Sequence, residues 1–454
     1  MSKGVEQIGK KDVVWSFFST FFLIGSNIIL LPLILHKMPA AMVAVWSIFQ
    51  VISGLVNLLD FGFRPSFARN VSYIFSGVQV LQVEGVAEPT NDKPVNYSLL
   101  KTVLHAMRMF YRMMALTVFT LMLLVGTTYM YFVILPKYSE SSVDLILAWL
   151  ILIFVNCYNL YTLYYDALLL GKGYVKRGQQ VTITGQVLYL TVAVVLILLG
   201  CGLTAIISAQ FVSVIVRRIL SYRIFFKKEL VAQLSNVKEE NYNEVLHVIT
   251  PNAVRVGLTN LGGFLVSRSS ILIGSAYLTL EQVARFSITF QIIEVIGKCS
   301  AVYYQANVPK IADNRANRNI LKLRKLYKNS IASMLFVYTL FGGSFLLLGD
   351  IVVDLIGSDT KFLPYVMCSV LIFVSILEHN HSIASGFIAA DNRIPFFIPS
   401  ILSGAATVLL LWFFLSYLDM GLWSLVISPG IAQLVYQNWK WPYVIIKEFY
   451  IDKV

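Results

Sequence analysis

The feature that most constrains this chain is a recurrence of apolar windows about 20 residues long, the length of helix that crosses the hydrocarbon core of a bilayer. Twelve are expected, roughly over 13–35, 41–60, 113–134, 143–170, 180–199, 203–222, 251–275, 281–305, 330–349, 362–389, 395–416 and 421–438. Hydrophobic residues fill 57% of the 454 positions and charged ones 13%, and the mean hydropathy is +0.72. Water is not the main solvent of such a chain. The first window follows Lys10-Lys11 as a signal peptide would, but it is too long for a signal core and lacks a small-x-small cleavage site. It reads as a retained span, and the fold class is an all-α polytopic membrane protein.

Orientation follows from sorting the 36 Lys and Arg residues onto the two sides of that map. With the N-terminus inside, 29 fall on inner segments, only Lys37, Lys137 and Lys361 on outer loops, and Arg255, Arg268, Arg285 and Lys298 within spans. The positive-inside rule predicts such an asymmetry, and one missed span would scramble it. Both termini are therefore expected in the cytoplasm. The net charge of +12 is spread through short loops rather than gathered on one soluble face, so nucleic acid is excluded as a partner in favour of the lipid bilayer.

A weak internal duplication divides the spans. A shift of 219 positions lays Thr184-Gly185 on Ser403-Gly404 and Gly202-Leu203 on Gly421-Leu422, while a shift of 240 lays 44–48 on 284–288. Two six-helix lobes are expected, 1–222 and 251–438, joined by a cytoplasmic linker at 223–250 and followed by a tail at 439–454. An even number of spans per repeat keeps both lobes facing the same way, with the substrate path between them.

Charges within spans are the candidates for function, because each costs about 2.5–3.5 kcal/mol at the bilayer centre even on the lenient insertion scale. They are Asp60 and Arg64 at the inner end of span 2, Asp166 in span 4, Arg255 and Arg268 in span 7, Glu281, Arg285, Glu294 and Lys298 in span 8, and Glu378, His379 and His381 in span 10. Glu281 with Arg285 and Glu294 with Lys298 are spaced to pair along one helix. Arg268 has no acid in its own helix turn, and Gly262-Gly263 is expected to bend that helix. His379 and His381, two residues apart, point to different sides, unlike the metal-binding pair of a zinc helix. Cys157, Cys201, Cys299 and Cys368 lie in or beside apolar segments without a CxxC spacing. No GxxxxGK[ST], HExxH or GxSxG motif is present, so neither cofactor, metal nor enzyme activity is expected.

Two stretches bring in a family. Leu58-Leu59-Asp60-Phe61-Gly62, continuing to Arg69, resembles the LLDxGxxxxxxR exit from span 2 of polysaccharide flippases. Ala167-Leu168-Leu169-Leu170-Gly171-Lys172-Gly173 resembles their AxLxGxGR exit from span 4, with Tyr174 at the final Arg. These flippases, O-antigen flippases among them, belong to the multidrug/oligosaccharidyl-lipid/polysaccharide (MOP) exporter superfamily. The resemblance implies an inverted-V transporter that moves an undecaprenyl-diphosphate-linked oligosaccharide across a bacterial inner membrane, with polysaccharide polymerase and assembly proteins as further partners. A diphosphate head group needs cations in a medium of low dielectric. Arg64, Arg255 and Arg268 are expected to supply them in a central cavity, with Asn260, Glu294, Lys298, Glu378, His379, Asp60 and Asp166 as further lining.

Two rivals are weighed against that expectation. A multidrug cation exporter of the same superfamily would favour acids over bases in its cavity, and a membrane-embedded polymerase would need a larger outer loop than 350–361. The orientation is testable directly: single cysteines placed at Asn236 and Asp359 should react with an impermeant maleimide from the inner and the outer side respectively, and labelling of both from one side would overturn the span count.

Overall fold

In hydrocarbon a backbone can satisfy its own polar groups only as a helix or a closed barrel, and the computed structural model, which describes residues 10–81, 94–239, 241–391 and 395–451, is all-helical, with no strand among the described residues. The helices are α1 Lys10–Lys37, α2 Ala40–Leu58, α3 Phe63–Phe75, α4 Tyr97–Lys137, α5 Ser142–Tyr161, α6 Tyr164–Gly171, α7 Val175–Leu198, α8 Gly202–Phe225 and α9 Lys228–Ser235. They continue as α10 Tyr242–Tyr277, α11 Leu280–Ser300, α12 Val302–Ala316, α13 Ile320–Ile356, α14 Tyr365–Ala389, α15 Phe397–Ser416, α16 Leu422–Leu434 and α17 Gln437–Ile446.

Among the described residues eight segments are long and apolar enough to cross a membrane: α2, α4, α5 with α6, α7, α8, α13, α14 and α15. The other four expected spans fall on α1, α10, α11 and α16. α11 carries four charges, α10 is diluted by Asn260, Gly262-Gly263 and the run Ser267-Arg268-Ser269-Ser270, and α16 breaks off at Val435-Tyr436 before α17. A twelve-helix, two-lobe layout is consistent with this set. α4 and α13, with 41 and 37 residues, are about twice as long as the hydrocarbon core requires. Much of the expected inner segment 64–112 is thus α3 and the first turns of α4.

The chain groups into two compact units, Met1–Lys37 with Ile52–Gly257, and Met38–Val51 with Leu258–Val454. In unit 1, α7 packs on α8 and α1, α5 on α8 and α4, and α3 on α6. Gln186 Nε2 donates to Ser26 Oγ at 2.7 Å between α7 and α1, and the Asp144 carboxylate accepts from the N–H groups of Leu203 at 2.7 Å and Thr204 at 3.1 Å. This second contact caps the N-terminus of α8, where the helix dipole favours an anion. The segment expected as a linker is tied to α4: Ser98 Oγ donates to the Lys238 carbonyl at 2.6 Å and Lys101 Nζ to the Val237 carbonyl at 2.8 Å.

In unit 2, α15 packs on α16, and α14 on α11, α16 and α17. The expected C-terminal tail is largely built into this unit. Arg315 of α12 holds Glu448 through both terminal nitrogens and donates from Nε to the Phe387 carbonyl at 3.2 Å. α10 runs as one continuous helix through Gly262-Gly263. Gly262 lets α10 approach α15, since a Cβ there would stand 2.6 Å from the Ser400 backbone.

The units echo each other where the sequence shifts had matched. Gly202 and Gly421 begin α8 and introduce α16 with φ of 57° and 55°, a conformation that favours glycine. α4 and α13 share a π-type turn that ends on a glycine, Met122–Gly126 and Tyr338–Gly342, a local widening often kept at functional positions; α4 has a second at Met130–Ile134. α3 and α12 each follow the second helix of their repeat. Gly171 of α6 abuts α3, where a Cβ would lie 2.5 Å from the Ala68 carbonyl oxygen, and Gly386 of α14 abuts Tyr304 of α12.

Gly171→Ala should therefore lower stability by about 1–3 kcal/mol through overpacking. Gly178→Ala, which meets nothing within 4 Å, should be neutral or stabilise slightly. Thermal unfolding of the purified protein in detergent checks the contrast, and equal effects would remove the close-approach argument.

Candidate functional site

Each expected site residue whose side chain is described is either consumed by local structure or left partly open. Asp60 follows the end of α2, where Phe61 and Gly62 take positive φ of 45° and 76° to turn the chain into α3. Its buried carboxylate accepts from the Arg64 N–H at 3.2 and 3.3 Å and from the Tyr111 hydroxyl at 2.6 Å. Asp60 thus caps α3 and fastens it to α4. The Arg64 side chain is exposed and makes no ion pair among the described residues.

Asp166 of α6 is paired with Arg218 of α8 at 2.7 Å, and the other guanidinium arm of Arg218 donates to Asn159 Oδ1 at 2.8 Å. Asn159 Nδ2 in turn donates to Asn57 Oδ1 at 3.3 Å, so one polar chain links α2, α5, α6 and α8. Arg218 is only 4% exposed. Both Arg217 and Arg218 were counted at the inner end of span 6; being adjacent on a helix, they must point about 100° apart. Arg217 turns the other way and lies over Gly185. Its Nε is buried without a hydrogen-bond partner, and no carboxylate pairs with it among the described residues. Sequence reasoning missed Arg217, although the Arg-Arg pair in a span carried the signal.

Unit 2 holds the densest charge. Arg268 Nη2 of α10 donates to Glu294 Oε1 of α11 at 2.6 Å, and Lys298 Nζ reaches the same oxygen at 3.0 Å. The guanidinium also stands 5.4 Å from the Phe290 ring centre, a cation–π distance. The expectation that Arg268 lacks a partner is therefore corrected: its acid comes from the next helix. The i, i+4 pairing of Glu294 with Lys298 is observed, whereas Glu281 and Arg285 form no ion pair among the described residues. Arg285 Nε donates instead to the Phe362 carbonyl at 3.4 Å.

One helical turn away, α11 meets α14 at Gly297, where the His379 ring occupies the space a side chain would need. His379 Nδ1 lies 2.9 Å from the Tyr338 hydroxyl and 2.9 Å from the Ser375 carbonyl oxygen, and Tyr338 also bonds Ser375 Oγ at 2.7 Å. His381 faces elsewhere, with Nδ1 2.8 Å from Asn438 Oδ1 of α17. Glu378 is half-buried with no ion pair among the described residues, and Asn260 is exposed on α10 two turns before Arg268. Arg255 was expected to line the cavity; its side chain lies outside the described residues. Among the described residues no cluster of three or more His, Cys, Asp or Glu could hold a metal ion.

No protein-family model and no curated protein sequence matches this chain. Solved structures do. A multidrug resistance MATE family transporter of the MOP superfamily, in an inward-facing conformation, matches with TM-score 0.63 and 17% identity over 96% of each chain. The lipid II flippase MurJ, in an inward closed conformation, matches with TM-score 0.60 and 12% identity over 96% of this chain and 87% of that one. A MOP superfamily transporter from Pyrococcus furiosus, described as having a binding pocket of reversed polarity, matches with TM-score 0.50 and 15% identity over 97% of each chain. The fold is that of the MOP transporters. At these identities the likeness is one of fold, and it extends over nearly the whole chain.

Within this MOP fold the capping network makes a direct prediction. Tyr111→Phe removes a hydrogen bond to a buried charged acceptor and should destabilise the protein by about 1.5–3 kcal/mol. A cycle with Asp60→Asn, read by thermal unfolding, should show coupling between the two sites. Strict additivity would mean that the 2.6 Å contact contributes nothing.

Proposed function

We propose that this protein is a flippase that carries an undecaprenyl-diphosphate-linked oligosaccharide from the inner to the outer leaflet of a bacterial inner membrane by alternating access. The observation that carries this reading is the triad Arg268–Glu294–Lys298, two cations sharing one acid at membrane depth. Arg268 is nine residues from the end of α10, about 14 Å along the helix and near the middle of a 30 Å hydrocarbon core. A net positive charge there is costly unless it serves an anion or faces water. A diphosphate supplies that anion.

The sugar is served by polar groups of unit 2, Asn260 on α10 and the Tyr338–Ser375–His379 cluster beside α11. Both termini lie in the cytoplasm in this proposal, and the lobes 1–222 and 251–438 rock against each other. MurJ, which acts on lipid II, supports the compatibility of the fold with a lipid-linked head group. A cation-coupled multidrug exporter is the alternative that the MATE neighbour brings to mind. The excess of base over acid in the triad disfavours a cationic substrate by like-charge repulsion.

Deleting the gene should make lipid-linked repeat units accumulate in the inner leaflet, and the wild-type gene should restore surface glycan. Removing Arg268 or Lys298 alone would leave Glu294 short of a partner and confuse function with folding. The cleaner variant is Arg268→Gln with Glu294→Gln and Lys298→Met, which neutralises the triad together. It should reach the membrane at normal level yet lower glycan export about tenfold or more, each decade being 1.4 kcal/mol. Full export by this variant would remove the cationic site from the mechanism, and normal glycan in the deletion strain would overturn the substrate.

A further inference from the structure

Three buried or half-buried Arg–carboxylate pairs occur in the described residues, and one differs from the others. Arg218 is 4% exposed and uses both arms, one on Asp166 and one on Asn159. Arg315 is 8% exposed, holds Glu448 with both terminal nitrogens and uses Nε on the Phe387 carbonyl. In both, each terminal nitrogen has an acceptor, although Arg218 Nε is buried without one. In the triad, Arg268, Glu294 and Lys298 are 26%, 24% and 50% exposed. Both cations converge on the single oxygen Oε1, and Oε2 accepts no hydrogen bond among the described residues. The remaining donors of Arg268 and Lys298 likewise have no acceptor there.

We propose that Glu294 is a built-in stand-in for the substrate's phosphate, an anion that occupies the two cations when the site is empty and is displaced when a diphosphate head group arrives. The inference rests on the flippase reading above and adds a role to it. A phosphoryl oxygen offers the same charge and the same N···O distances as a carboxylate oxygen. Exchange of one for the other keeps Arg268 and Lys298 compensated at each stage, which a low-dielectric site requires. One-oxygen attachment makes the exchange feasible, because a carboxylate held by one atom can swing away on its side-chain torsions without disturbing α11. When the lipid-linked head group reaches the far side, return of Glu294 competes with it and favours release. Glu294 therefore sets affinity low enough for turnover, since binding that is too tight would trap the carrier in one state.

The test uses the full-length protein in lipid nanodiscs with farnesyl diphosphate as probe and farnesol as the control without phosphate. Glu294→Gln removes the competing charge and keeps the side-chain size, so it should bind farnesyl diphosphate about tenfold tighter than wild type while exporting less glycan. Glu294→Asp, which restores the charge, should return affinity towards the wild-type value. Equal or weaker binding by Glu294→Gln overturns the stand-in role. Should Glu294→Gln fail to fold, wild-type protein gives a second measure: displacement should raise carbodiimide labelling of Glu294 when farnesyl diphosphate is added, and unchanged or reduced labelling counts against it. If wild type prefers farnesyl diphosphate over farnesol and the triple variant Arg268→Gln, Glu294→Gln, Lys298→Met loses that preference, but Glu294→Gln alone does not tighten binding, the stand-in role alone falls. If no form of the protein distinguishes farnesyl diphosphate from farnesol, the anionic substrate falls with it.

Discussion

A charged side chain in hydrocarbon must find a partner, a hydrogen-bond acceptor or water, and the polar architecture of this chain follows from that requirement. The helices satisfy their own backbones, so every remaining polar demand is made by side chains. Unit 1 meets it with a chain of contacts from Asn57 through Asn159 and Arg218 to Asp166. Unit 2 meets it at Arg268, Glu294 and Lys298, while outside the expected spans Arg315 and Glu448 tie the C-terminal segment into the packing. Glycines let other helices approach closely, at Gly171 against Ala68, Gly262 against Ser400 and Gly386 against Tyr304. Charge pairing and close helix approach reinforce each other, since a carboxylate two helices away is reachable only if the backbones between are near.

Much of this was legible before any coordinates, because the relevant physics is local. Apolar windows became helices, and Glu294 and Lys298 met across one turn because i, i+4 geometry is intrinsic to the helix. The matched glycines Gly202 and Gly421 have nearly equal positive φ, so that part of the duplication records a backbone requirement. What was not legible depends on which helices become neighbours. Arg268 finds Glu294 on α11, and Arg285 prefers the Phe362 carbonyl over its own i−4 acid. The break at Val435-Tyr436 and the packing of α17 likewise arise from tertiary contacts that no window of hydropathy contains.

The motif resembling a flippase exit proves to have a structural use that its residues explain. Asp60 accepts from the first turn of α3 and from Tyr111, Gly62 takes the left-handed turn, and Gly171 of the second motif clears room for α3 at Ala68. The two stretches form one joint of unit 1. A sequence pattern that persists because it builds a joint marks fold more directly than substrate. This separates two kinds of information in the chain: the joint accounts for the resemblance, whereas the triad in unit 2 lies outside both motifs and carries the chemical argument.

The proposed substrate rests on the sign and openness of that triad rather than on the fold. Two fully matched charges, as in Arg218–Asp166, would be electrically silent and would serve packing alone. Two bare cations in a low-dielectric site would be costly to leave empty and slow to release a diphosphate once bound. Two cations around one displaceable carboxylate avoid both extremes, because the site keeps a net attraction for anions while always having an anion at hand. A cationic drug meets repulsion from the same arrangement. On the proposed flippase reading, in a fold that includes a MOP transporter described as having a pocket of reversed polarity, the placement of Glu294 between Arg268 and Lys298 is the feature that would turn the scaffold towards phosphate.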